Sequence, residues 1–355
     1  MRFQPYLDVG SERSAAPRYF DIHTHAIAPS LPDLEAQYPW GHWPSVEQHS
    51  DTSAQIRVGG DPYRWIDDRC WSAQRRIADM DAEDVAVQVI SPTPITFCHD
   101  APAQGAIALA KMQNEFLAEM ISPSPDRLCA LGAVPMQDPD AAVAELHFCV
   151  TELGFLGVEI GTQVGQRELS HPDFDPFFAA AAELGALVFI HPSDRTLDTR
   201  PAELGLSFGV GMPSETGLAA ANLLISGALR RRPSVHLCLA HGAGTLPWLL
   251  PRLDRQVLMK DPTCAPDRLP STLARVLRCD SLTYDTASLE LAVQRFGAHH
   301  VMVGTDYPFP AREAPAAAVL TEADGPFDPE LRAAIAWSNA DSMIREIRAN
   351  SKQES

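Results

Sequence analysis

Short apolar runs closed by polar, Pro or Gly positions recur along the chain, and stretches with helical spacing separate them. Eight runs read as strands: Tyr19–His25 (YFDIHTH), Val85–Ser91, Leu128–Pro135, Phe155–Gly161, Ala186–His191, Val235–His241, Leu282–Thr286 and His300–Asp306. Between them, Ala103–Met120, Pro139–Leu153 and Pro176–Leu184 are rich in Ala and Leu at helical intervals. Strands alternating with helices predict a parallel sheet with crossover helices. Eight such units in 355 residues predict a (β/α)8 barrel of the TIM type rather than an open doubly wound sheet.

One connection breaks the rhythm. About sixty residues separate the first two runs, far more than a usual strand-to-helix loop. The segment Pro29–Asp61 is rich in Pro, Trp, His and Gly and lacks helical periodicity. It predicts a small strand-containing insertion after the first strand, an insert or lid at 26–70 over the barrel mouth. The predicted organisation is a tail at 1–17, one barrel domain at 18–345 and a second tail at 346–355.

Composition narrows the class. Apolar residues make up 45% of the chain and charged ones 21%, which supports a sizeable core and excludes collagen-like or disordered chains. With 28 Lys plus Arg against 46 Asp plus Glu, the formal charge is −18, which argues against a nucleic-acid partner. A few local arginines can still bind a small anion. No apolar stretch approaches the ~20 residues that span a bilayer, so no membrane partner is expected. Met1–Gly10 shows no basic-then-apolar leader pattern. Seven cysteines without CxxC spacing read as reduced, mostly buried thiols. A cytoplasmic enzyme is the expectation.

The chemistry begins at Asp21-Ile22-His23-Thr24-His25. Residues two apart on a strand point the same way, so His23 and His25 converge at the strand's C-terminal end, where barrel active sites sit. His191 ends the fifth run, His241 the sixth and Asp306 the eighth. A barrel gathers these ends on one face. His23, His25, His191 and Asp306 therefore form a candidate site for a divalent metal. Imidazole and carboxylate ligands without cysteine suit Zn2+ first, with Mn2+, Fe2+ or Co2+ as alternatives. His241 is then cast as general acid/base, with a further ligand role as the alternative. No lysine ends the fourth strand to bridge two metals. Glu159 is either a substitute for one or a paired carboxylate of the barrel interior.

The runs DIHTH, IHP, LAHGAG and GTDYPFP resemble the metal-dependent amidohydrolase superfamily, in its branch of non-oxidative decarboxylases. Within that branch the likeness is strongest to the 2-amino-3-carboxymuconate-6-semialdehyde decarboxylases, from about Tyr19 to Ala340. It includes Tyr63-Arg64 ahead of Cys70-Trp71, the run Arg76–Asp81, Val134–Asp138, Gly157–Thr162 and Met212–Thr216. The resemblance implies zinc on His23, His25, His191 and Asp306, and a catalytic His241. It implies that Arg64 binds a substrate carboxylate. It also implies that Arg252 reaches into the neighbouring subunit's pocket, hence a homodimer acting on a small-molecule carboxylate. The implied reaction is loss of CO2 from a muconate-semialdehyde-type or aromatic acid without an organic cofactor.

Departures fall on the loop after the fifth strand. The family follows His-Pro there with Trp-Asp-Met and a Trp-rich segment; this chain has Ser193-Asp194-Arg195, and Leu204–Gly209 reads LGLSFG. Glu159 stands where the family has a neutral amide. A reshaped pocket is expected, with Arg195 or Arg200 as candidate anion contacts. A hydrolase or hydratase acting on a lactone, amide or double bond would use the same metal and His241.

Overall fold

The computed structural model describes residues 18–351, apart from 196, 201, 233, 323 and 324. The predicted tail at 1–17 lies outside the described residues. Eight parallel strands run β1 (Tyr19–Ala26), β2 (Val85–Pro92), β3 (Leu128–Ala133), β4 (Gly157–Gly161), β5 (Leu187–His191), β6 (His236–Leu239), β7 (Arg278–Asp280) and β8 (Val301–Met302), each hydrogen-bonded to the next. The residues after β8 close the ring on β1, with Ile22 N–H donating to Val303 O (2.8 Å) and His25 N–H to Tyr307 O (2.7 Å). One principal helix follows each strand: α1 (Ala73–Ala82), α2 (Ala103–Ile121), α3 (Pro139–His147), α4 (Asp175–Glu183), α5 (Met212–Ile225), α6 (Leu246–Lys260), α7 (Thr286–Phe296) and α8 (Asn339–Ser351). Side-chain caps fix several starts: Ser72 accepts from Arg75 N–H, Asp138 from Ala141 N–H and Asp285 from Ser288 N–H.

Two apolar layers hold the ring. The larger lies between strands and helices. The barrel interior is filled by Phe20, Ile22, Val87, Val89, Leu131, Phe189, Cys238 and Met302, with Met343, Ile344 and Ile347 of α8 packed against them. Between Asp21 and Thr24 the register of β1 against β2 slips, as a bulge does. The extra residue lets Phe20 and Ile22 join the interior cluster while His23, with its ring 5.0 Å from Phe189, faces the same interior one level up.

Two expectations need correction. The seventh strand is Arg278–Asp280 and not Leu282–Thr286. It is three residues long and starts on an arginine, so no apolar run announces it. The expected segment is the turn into α7: Tyr284 has φ +63° and Asp285 caps the helix. The second tail is also shorter than expected. Residues 346–351 continue α8, and Ile347 is buried because the helix must cover the interior apolar residues.

The long connection after β1 builds an antiparallel sheet from Pro44–Ser50, Ser53–Val58 and Asp61–Asp67. Its second hairpin turns on Gly59 and Gly60, whose φ values of +59° and +88° suit glycine. Ala54, Ile56 and Ile66 pack on Ile27, Ile95 and Phe309, which follow β1, β2 and β8. The sheet thus sits on the C-terminal face of the ring.

Beneath the bulge lies a buried polar brace. Arg76 of α1 is fully buried and donates to Thr24 Oγ1 (3.1 Å), Gln88 Oε1 (3.1 Å) and the carbonyls of His25 and Arg69. Gln88 in turn donates to Asp21, which also accepts from the Thr305 hydroxyl at 2.7 Å. Helix α1, β1, β2 and the closing segment are therefore locked by one network. Arg76→Leu strands these acceptors in a dry site, and the expected cost is about 3–5 kcal/mol. Denaturant unfolding should show the lower midpoint at an unchanged slope; a loss under about 1 kcal/mol would show that the network is dispensable.

Candidate active site

His23, His25, His191 and Asp306 are all buried, and one ligand-type atom from each falls within a set no wider than 4.8 Å. Each imidazole is turned by a contact on its Nδ1 side. His23 Nδ1 lies 2.7 Å from Asp280 Oδ2, His25 Nδ1 3.2 Å from Pro92 O, and His191 Nδ1 2.6 Å from Pro192 O. These acceptors place a proton on every Nδ1, so in each neutral ring the lone pair sits on Nε2. The Nε2 atoms converge: His23 and His25 are 3.1 Å apart there, and Asp306 Oδ1 is 3.1 Å from His25 Nε2. His191 Nε2 is buried without a hydrogen-bond partner among the described residues. Two lone pairs at such a distance beside an orphaned third and a carboxylate are the donor set of a cation site.

The electrostatics agree for His25, His191 and Asp306, and His23 is the exception, since its second proton would have to leave when a cation binds. Burial pushes His25 and His191 below the ordinary imidazole value, and in His191 the neighbouring His241 adds to it. Burial opposes protonation of His23 too, but the bond to Asp280 and its charge outweigh it and raise His23 to about 9. Burial would raise Asp306, yet the hydrogen bond and charge of His25 hold it below the usual carboxylate range.

His241 follows β6 with φ +58°, its ring centre 4.8 Å from that of His191 and 5.4 Å from that of His23. Burial, then the nearby His23, lowers its pKa to about 4, so it stands neutral and able to accept a proton. Glu159 is buried in the barrel interior, within ion-pair range of His25, and its oxygens make no close hydrogen bond among the described residues. Its Oε2 lies 3.9 Å from His25 Nδ1, on the side of that ring turned away from the converging Nε2 atoms. Burial drives its carboxyl well above the usual carboxylate range.

A cavity of about 240 Å³ opens on this cluster, lined among others by His25, His191, Asp306, Arg64, Phe309 and Phe208. Arg64 comes from the inserted sheet, its guanidinium 4.6 Å above the Phe309 ring and 5.1 Å from that of Tyr63. Tyr63 OH donates to Asp194 in a short hydrogen bond, tying the insert to the loop after β5. A second cavity of about 380 Å³ shares Phe208 and Met212 with the first and is lined by His241 itself, with Trp248, Leu282 and Tyr284. Arg252 is exposed on α6 and lines neither cavity within its own chain. The expected anion contacts are already neutralised: Arg195 bonds Asp100 at 2.7 Å and Arg200 bonds Asp198 at 2.7 Å. Asp280 escaped the sequence reading because its strand was misplaced. The rule that found Asp306, a carboxylate ending a strand, applies to it equally.

The amidohydrolase family model matches residues 20–345. The chain belongs to the amidohydrolase family. It is 35% identical over 295 residues to the 2-amino-3-carboxymuconate-6-semialdehyde decarboxylase of Dictyostelium discoideum, covering 82% of each chain. It is 29% identical to the gamma-resorcylate decarboxylase of a Rhizobium species, over 71% of this chain and 82% of that one. Among solved structures, the dihydroxybenzoic acid decarboxylase of a Polaromonas species, with bound manganese and the inhibitor 2-nitroresorcinol, superposes with a TM-score of 0.72 at 21% identity, over 93% of this chain and 97% of that one. Within the family, the chain is a metal-dependent, non-oxidative decarboxylase. No helix among the described residues is long and apolar enough to cross a membrane.

Behind β4, His99 is buried and its Nε2 accepts from Gly161 N–H at 3.1 Å, so it too is held neutral, with burial lowering its pKa to about 4. The unfolded chain takes up this proton near pH 6.5 and the folded one only near 4. Stability must therefore fall as pH drops through that window, by up to roughly 3 kcal/mol from this group. Urea titrations between pH 7 and pH 4 should show His99→Gln losing less stability than the parent; parallel losses would place the acid sensitivity elsewhere.

Proposed function

We propose that the chain removes CO2 from a small aromatic or muconate-semialdehyde-type acid, with one divalent cation held by His23, His25, His191 and Asp306. The convergence of three Nε2 lone pairs and Asp306 beside a neutral His241 is the observation that supports it most. Three imidazoles and one carboxylate suit zinc, and manganese is the alternative, as in the Polaromonas neighbour. When bound, the cation supplies Lewis-acid stabilisation of negative charge developing on the substrate.

The chain's own residues do the rest. Arg64, kept planar against Phe309, offers a bidentate clamp for a substrate carboxylate. A cavity of about 240 Å³ matches a single substituted ring or its open-chain equivalent. Phe208 and Phe309 line it and limit the water that reaches the reacting carbon. His241 would take up a proton and pass it to the carbon that bears the departing carboxylate, where it stays in the product as CO2 leaves, and solvent reprotonates His241 before the next turnover. The relatives are decarboxylases of a muconate semialdehyde and of a resorcylate, which supports this class over lactone or amide hydrolysis.

Arg252 would act across a homodimer. It is exposed, and Trp248 one turn earlier on α6 is 72% exposed, so this face is free to meet a second copy. A cytoplasmic setting agrees with seven cysteines that form no disulfide.

Three outcomes test the reading. Metal-reconstituted protein should release CO2 from a panel of hydroxybenzoates and muconate-type acids, and ring opening of lactones without CO2 would defeat it. His191→Ala and Asp306→Ala should each lose the metal by elemental analysis, whereas His241→Asn should keep it while kcat falls roughly 10²–10⁴-fold. Retention in the first two, or loss in the third, would overturn the assigned roles. Arg64→Ala and Arg252→Ala should each be poorly active, yet a mixture under subunit exchange should recover about a quarter of wild-type activity, because half the sites of the mixed dimers regain both arginines. No recovery despite confirmed exchange would place both arginines in one chain's site or in none.

A further inference from the structure

Asp280 touches more of the site than any role given so far uses. It ends β7, is fully buried, and each of its oxygens takes two contacts. Oδ2 lies 2.7 Å from His23 Nδ1 and 2.9 Å from the backbone N of His241; Oδ1 accepts from Gly242 N–H at 2.8 Å and from Leu282 N–H at 3.0 Å. Its backbone is pinned as well, since a Cβ built on Gly304 would stand 2.6 Å from Asp280 Cβ.

The turn it holds is a costly one. His241, Gly242 and Ala243 have φ values of +58°, +60° and +66°. For a residue with a Cβ this conformation costs about 1–2 kcal/mol. Gly242 is close-packed too, for a Cβ there would meet Thr283 Cγ2 at 2.6 Å. Two N–H groups of the turn point at one carboxylate, and φ at residue 241 decides where its imidazole aims. The same carboxylate fixes the tautomer of His23 and so the direction of its Nε2 lone pair.

We infer that Asp280 is the positioning residue that couples the two halves of the site, turning His23 toward the metal and His241 toward the substrate through one carboxylate. This rests on the ligand and base roles proposed above. It explains how a histidine on β1 and one after β6 keep their mutual geometry when no hydrogen bond joins them directly among the described contacts. A purely structural carboxylate would stabilise the loop and leave metal affinity and turnover alone.

Asp280→Asn keeps the shape but offers an NH2 group where two donors need an acceptor. Zinc affinity is measured by competition with a chromophoric chelator, and kcat and KM are measured at saturating zinc. The expected result is a 10- to 100-fold weaker zinc affinity, together with a kcat at least about tenfold lower at saturating zinc and a KM close to wild type. Leu289→Ala, a core truncation in α7, should lower stability without moving zinc affinity. Unchanged zinc affinity or unchanged kcat in the Asn variant overturns the coupling, as does an equal loss of affinity in Leu289→Ala. If the Asn variant does not fold, Asp280→Ser, with space for a bridging water, carries the same measurements. Wild-type protein that binds no zinc or manganese would instead defeat the underlying reading of the site, so the two failures are told apart.

Discussion

The site is governed by one electrostatic constraint: three buried imidazoles and the half-buried ring of His241 crowd the barrel mouth with ring centres about 5 Å apart. In a dry interior two adjacent imidazolium ions repel strongly, so the cluster tolerates little positive charge of its own. Asp280 on one side and Asp306 on the other supply the compensating negative charge, and both are held ionised by the histidines they face. The balance fits one cation at the centre, which would displace the second proton that Asp280 favours on His23 and leave three neutral imidazoles around it. Each ring is locked by an acceptor on its outer nitrogen, and those acceptors are backbone carbonyls of strand-end prolines in two cases and a carboxylate in the third. The bulge in β1, the brace beneath it and the left-handed turn after β6 all serve to hold these rings where their lone pairs meet.

The insert answers a different problem. A barrel mouth built from strand ends is shallow, and an anion held only by a cation would keep its water. The three-stranded sheet brings Arg64 over the cluster and fixes it by stacking rather than by an ion pair. Its charge therefore stays available for a ligand. Arg195 and Arg200, by contrast, are tied to Asp100 and Asp198 and have little charge left to offer. On the loop after β5, Asp194 accepts from Tyr63, so that loop and insert meet at the wall of the cavity.

Much of this was legible in the sequence. Strand ends carry the ligands, and the apolar runs locate most strand ends well, which is why His23, His25, His191 and Asp306 could be placed together before any coordinates. The bulge was invisible, since it changes no residue type, yet it left the parity of His23 and His25 intact. What escaped was the seventh strand. Three residues flanked by an arginine give no apolar period, and its pairing with β6 and β8 comes from closure of the ring rather than from local preference. Asp280 was lost with it. The raised pKa of Glu159 was equally out of reach, because desolvation is a property of the packed interior.

The net charge of −18 is compatible with an anionic substrate for a reason of distance. At physiological ionic strength exposed charges are screened beyond about 8 Å, whereas buried ones act at close quarters in a weaker dielectric. The exposed acids of the chain therefore act only weakly on the cavity. Inside it, Asp306 and Asp280 are matched by the histidines and the cation they would help to hold, and Asp194 is engaged by Tyr63. Arg64 lines that cavity with no ion pair among the described residues, and it is the cavity's own balance, not that of the surface, that a small carboxylate meets.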